Sequence, residues 1–140
     1  MAGREEIVAS LSQFALFADF ITPQLEAAVE QFQEVFFADG TRILRQGLTG
    51  SGFYIVLDGE CSILVDGEER ARLGRGEFFG EVSVLLGDPP VADVVARGSM
   101  RCLVIGSKDV QPFLLGNPKF MYRMLQAQAR RLRNANRWRS

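Results

Sequence analysis

The chain contains no histidine, and that absence excludes more chemistry than any other feature of its 140 residues. The commonest general base is missing, and with it go the Ser/His/Asp and Cys/His triads and the imidazole ligands of most catalytic zinc sites. An enzyme is therefore not expected, nor a metal site. Cysteine is scarce as well: Cys61 and Cys102 are the only two, too far apart for a CxxC pattern. Neither a zinc ribbon nor a thioredoxin-type redox pair can be built from them. Both fall in apolar, strand-like runs and read as buried thiols in a reducing cytosol, so a cytoplasmic location is expected. No apolar run approaches the ~20 residues needed to cross a bilayer, and no membrane span is expected. The opening MAGREEIVAS has glutamates where a secretory signal carries a basic and then an apolar region.

What is present is enough for one domain. The chain is 47% hydrophobic and 24% charged, which suits a soluble fold with a single core. The net charge of -1 conceals a division after Pro118. Residues 1–118 carry 9 basic and 17 acidic groups, a net of -8, whereas residues 119–140 carry seven basic groups and no acid. An acidic body is followed by a basic tail.

The chain order divides into 1–33, 34–106 and 107–140. In the first part, Glu5 to Phe17 places Ile7, Leu11, Phe14 and Ala15 near one helical face, and Thr22-Pro23 reads as an N-cap and N1 start of a second helix. From Glu34 to Ile105 helical periodicity gives way to short apolar runs separated by turn signals, among them Asp58-Gly59, Asp66-Gly67, Gly74-Arg75-Gly76 and Arg97-Gly98. Asp66-Gly67 is the clearest: a two-residue loop with positive φ at both positions suits a type I′ hairpin, here joining Cys61–Val65 to Glu68–Leu73. Regularly spaced strands without intervening long helices predict an antiparallel sandwich or jelly roll rather than a parallel βαβ sheet. The third part returns to helix, with Ser107 as a cap and Asn117-Pro118 opening a last helix to about Arg137. There Met121, Met124, Leu125, Gln128 and Leu132 form one stripe that must be covered, by the β body or by a second copy in a homodimer.

One segment stands apart, GEFFGEVSVLLGDPPVADVV from Gly76 to Val95. Gly80 permits close approach to the backbone, the amides of Glu81 to Ser83 form a small anion cradle, and Glu81 is an acceptor for hydroxyl groups. The same features also describe a connecting turn whose glutamate serves only to stabilise it. The chain resembles the cyclic nucleotide-binding domain family over nearly its whole length. The resemblance rests on Leu16-Phe17, Gly40…Ile43…Gln46-Gly47, Phe53-Tyr54-Ile55-Val56…Gly59 and Gly76…Phe79-Gly80-Glu81.

That resemblance implies a jelly roll with flanking helices and a ligand site formed by Phe79, Gly80, Glu81, Val82, Ser83, Pro90, Val91 and Ala92. In the family the glycine and glutamate bind the ribose and the helix amides bind the cyclic phosphate. A P-R-A-A-T motif then supplies an arginine that neutralises the phosphate. Here the motif reads Pro89-Pro90-Val91-Ala92-Asp93, with proline at the arginine's place and Asp93 where Thr or Ser is usual. A charge-assisted hydrogen bond contributes roughly 1.5 to 3 kcal/mol, so nucleotide binding is expected to be weakened about ten- to over a hundredfold. A helix N-terminus recovers only about 0.3 to 1 kcal/mol, or about 2 in a buried geometry. Arg75 and Arg97 flank the segment and reach it only if the fold allows. Val91 lacks the hydroxyl that accompanies guanine preference, which favours cAMP over cGMP.

The expected function is a regulatory sensor domain with cAMP or another small anion as ligand, no required cofactor, and a homodimer contact through the last helix. The alternative is a degenerate domain that no longer binds nucleotide and acts in dimerisation or protein interaction. A metal-dependent cupin is excluded by the lack of histidine. The 22 residues after Pro118 are too few for both a dimer helix and a DNA-reading module, so specific nucleic acid recognition is not expected.

Overall fold

The computed structural model describes residues 2–48 and 52–137. Helix α1 (Ala2–Leu11) leads through a 3-10 turn (Ala15–Phe17) to α2 (Thr22–Val29), and the chain then enters the β body. Strands β1 (Gln33–Phe37), β2 (Arg42–Leu44), β3 (Gly52–Val65), β4 (Glu68–Leu73) and β5 (Phe78–Phe79) precede α3 (Glu81–Leu86). Strand β6 (Asp93–Gly106), α4 (Ser107–Gly116) and α5 (Pro118–Arg137) complete the order. Every strand pairing is antiparallel, in the order β1-β6-β3-β4, with β2 also on β6 and β5 on β3. This is the mainly antiparallel β-roll with flanking helices that the patterning predicted.

Two turn signals prove to be something else. The runs Phe53–Leu57 and Cys61–Val65 lie in one continuous strand, β3, and Asp93–Ala96 and Arg101–Ile105 lie in another, β6, the two strands running side by side along their length. Asp58-Gly59 marks register shifts in that pairing, a bulge that bends the ladder without ending it. Gly59 has φ 88°, and a Cβ there would lie 2.5 Å from the Ser99 carbonyl oxygen. The bulge thus brings two backbones together where no side chain fits. Asp66-Gly67, by contrast, is the hairpin expected, with φ of 53° and 83°.

The helices also differ in detail. The first stops at Leu11 and leaves Ala15 exposed, because Phe14 turns inward to pack under Gly76. The cap of α2 is Ile21 rather than Thr22, and the Gln24 side chain accepts its N–H at 2.9 Å. Gly106, not Ser107, precedes α4.

Two apolar clusters lie on either face of β3. One joins α1, α2, α4 and α5 to Phe53, Ile55, Leu57 and Leu103; the other fills the roll with Tyr54, Val56, Cys61, Phe79, Val94, Ala96 and Cys102. Phe120 of α5 is fully buried, with its ring edge-on to Phe17 at 5.1 Å and Phe113 at 5.0 Å. Met124 is buried beside it, but Leu125 and Leu132 are 63% and 64% exposed and Met121 is partly exposed. The stripe read from the sequence is therefore split: Met124 faces the body, where Phe120 and Ala127 join it, Gln128 meets Glu81, and Met121, Leu125 and Leu132 face out. An apolar band wider than one seam cannot all meet a single surface.

Candidate functional site

The segment from Gly76 onward is pinned to β3 before it reaches the site. Val56 donates its N–H to the Glu77 carbonyl and accepts one from Gly76, both at 2.8 Å, and β5 then pairs Phe78 with Ile55 and Phe79 with Tyr54. The Phe79 and Tyr54 rings stack at 4.7 Å. Gly80 follows with φ 88°, and a Cβ there would lie 2.3 Å from the Gly52 carbonyl oxygen. Its glycine is thus required by the protein's own backbone, whether or not a ligand approaches. α3 begins directly after it and ends at Gly87, where the Ser83 hydroxyl donates to the Asp88 carbonyl at 2.6 Å.

All eight residues singled out from the sequence line one cavity of about 210 Å³. Phe79, Gly80, Glu81, Val82 and Ser83 form one side and Pro90, Val91 and Ala92 another. The remaining wall is apolar, from Leu44, Ile63, Ala71, Leu73 and Val94, with one exception: Arg131 of α5. Glu81 is 5% exposed. A carboxylate so buried requires hydrogen-bond partners, and α5 provides them. Gln128 Nε2 donates to Glu81 Oε2 at 2.5 Å and Arg131 Nη1 to the same oxygen at 3.3 Å. Arg131 Nη2 also donates to the Phe78 carbonyl at 2.7 Å, and its guanidinium lies 4.2 Å over the Phe78 ring.

The flanking arginines do not enter. Arg75 donates to the Leu57 carbonyl and to Ser10, Gln13 and Asp58, and lies over the Phe14 ring, tying β3 to α1. Arg97 is exposed, with Nε donating to Ser62 Oγ at 2.8 Å. Asp93 turns away from the cavity: its carboxylate accepts the Gln46 N–H at 2.6 Å and lies 3.8 Å from Arg42. Gln46 in turn bonds Asp66 through both ends of its amide, and Gly47 donates to the Pro90 carbonyl, so one loop ties the hairpin turn to the Pro90 segment. Arg131 escaped sequence reasoning because the arginines of the last helix read as a solvated face. The available signal was its spacing, seven residues after Met124 and three after Gln128, which keeps it on the packed side.

Burial pushes the thiols of Cys61 and Cys102 up to about 12, and both are free. Among the described residues no group of acidic, cysteine or histidine side chains could hold a metal ion, and no helix is long and apolar enough to cross a membrane.

A cavity lined by two segments of the β body and by Arg131 of the helix that follows marks a β-roll domain with a candidate small-molecule site, and comparison with known proteins places it. The model of the cyclic nucleotide-binding domain matches residues 34–117, and the chain belongs to that family. It is 31% identical over 102 residues to a cAMP-dependent protein kinase regulatory subunit of Mucor circinelloides f. lusitanicus, covering 70% of this chain and 24% of the relative. The chain thus spans about a quarter of that protein's length. Among solved structures it resembles the Thermus thermophilus catabolite activator protein, with TM-score 0.78 and 30% identity over 87% of this chain and 60% of that one. It also resembles the N-terminal domain of a transcriptional regulator from Streptomyces coelicolor A3(2), with TM-score 0.67 and 31% identity over 91% and 92% of the two chains.

Proposed function

We propose that the domain senses cAMP in preference to cGMP and communicates occupancy of its cavity through α5. One observation carries the reading: the Phe79–Ser83 and Pro90–Ala92 segments enclose a single cavity around a buried carboxylate. In this reading Gly80 and Glu81 take the ribose, the amides of Val82 and Ser83 face the phosphate, and the apolar wall receives the base. Val91 presents no hydroxyl to a guanine. Pro90 stands where the family's cassette carries its arginine, and Arg131 is already committed to Glu81 and Phe78. The affinity is therefore lower by roughly 1.5 to 3 kcal/mol than with a cassette arginine. The role is regulatory rather than catalytic, in the cytoplasm, and Met121, Leu125 and Leu132 offer an apolar strip to a second copy of α5.

The same commitment of Arg131 favours a second reading, a domain that has lost nucleotide binding and acts in dimerisation or protein interaction. Titration with labelled cAMP separates the two: micromolar or tighter binding refutes the second, and no binding at millimolar concentration refutes the first. Sedimentation of Leu125→Glu beside the unaltered protein tests the strip, since a dimer through it dissociates and a monomer does not change.

A further inference from the structure

We propose that Gln128 is a positioning residue for the site: it holds Glu81 from behind, at Oε2, so that Oε1 is presented to a ligand hydroxyl. The inference rests on Glu81 being the acceptor for a ribose hydroxyl. A carboxylate offers about four lone-pair sites, two on each oxygen. Among the described residues both protein donors go to Oε2, and Oε1 receives none. The terminal torsion of glutamate is broad, so nothing in the side chain itself decides which oxygen faces the cavity. The donors on α5 decide it.

Of the two, Gln128 is the better placed to do so. Arg131 is fixed elsewhere, by the Phe78 carbonyl at 2.7 Å and the Phe78 ring, and reaches Glu81 at the longer distance, 3.3 Å. The Gln128 contact is the shorter at 2.5 Å. Gln128 is also dispensable for seating the helix, because Phe120 and Met124 anchor α5 in the core and Arg123 donates twice to Asp19. A hydroxyl on Oε1 and Gln128 on Oε2 each order the same carboxylate. Each therefore lowers the entropic cost of the other, which links occupancy of the cavity to this turn of α5.

The test compares cAMP with 2′-deoxy-cAMP by calorimetry in the unaltered protein, in Gln128→Met, which keeps length but removes the N–H donor, and in Gln128→Ala. The unaltered protein should prefer cAMP by roughly tenfold or more. In both variants that preference should fall by about three- to tenfold, with the affinity for the deoxy nucleotide little changed. cAMP should also slow amide exchange near residue 128 in the unaltered protein and do so less in Gln128→Met. A preference that is undiminished in the variants, or a loss that falls equally on both nucleotides, overturns the role of Gln128 while leaving nucleotide binding standing. Binding of neither nucleotide by the unaltered protein refutes the nucleotide reading and this inference with it.

Discussion

Replacing Pro90 by arginine would show whether the cavity is otherwise complete. Pro90 is buried and lines the cavity, and its carbonyl accepts the Gly47 N–H at 2.9 Å, a bond that any residue can retain. The change adds a guanidinium to a site whose one lining cation is already bonded to Glu81 and the Phe78 carbonyl. A charge-assisted bond to a phosphate contributes roughly 1.5 to 3 kcal/mol. Against this, loss of the proline ring frees the unfolded chain and costs about 0.4 to 1 kcal/mol of stability, which does not enter the binding equilibrium. A second offset does enter: in the empty protein the new arginine can pair with Glu81, and that pairing must be given up for the ligand. The net expectation for Pro90→Arg is tighter cAMP binding by about ten- to a hundredfold, with Pro90→Ala giving no gain. Calorimetric titration with cAMP measures both, with the melting temperature as a check on folding. A folded Pro90→Arg protein that binds no more tightly than the unaltered one would refute the idea that arginine is what this site lacks.

Three further outcomes follow from the packing. Gly80→Ala must hold a positive φ and place its Cβ 2.3 Å from the Gly52 carbonyl oxygen, so it should lose at least about 2 kcal/mol and lower the melting temperature by roughly 6 °C or more, read by calorimetry. Phe120→Ala opens a space where four aromatic rings meet and should cost about 3 to 5 kcal/mol in chemical denaturation, with faster amide exchange along α5. Cys61 and Cys102 should resist thiol reagents at pH 8 until the protein is unfolded. Because their folded pKa lies above the ordinary 9.0, at about 12, the stability from keeping them neutral is complete below pH 9.0 and declines as the pH rises toward 12. A pH-dependent denaturation series reads that decline.

The strands were legible because short apolar runs and the Asp66-Gly67 turn are local. So was the lining of the cavity, since Phe79 to Ser83 and Pro90 to Ala92 are contiguous stretches. What escaped depended on pairing across the sequence. Gly59 looks like a turn residue until β6 is laid beside β3 and Ser99 comes within reach of its missing Cβ. Asp93 looks like a threat to an anion site until Gln46 and Arg42 are found on its other side. Arg131 looks solvated until Glu81, 50 residues earlier, is found buried against it. In each case the residue's type was plain and its neighbour was not.

The contact between α5 and Glu81 also bears on how the domain matures. A domain folds largely as a unit, and α5 is made after every element it packs against. Without it Glu81 would lose both its donors, and the rings of Phe17, Phe53 and Phe113 would lack the one that joins them. Docking of α5 therefore supplies at once the donors of Glu81 and the ring that joins the aromatic cluster. A chain interrupted before Gln128 would leave that buried carboxylate without its donors, a cost of a kind that a missing surface helix would not carry.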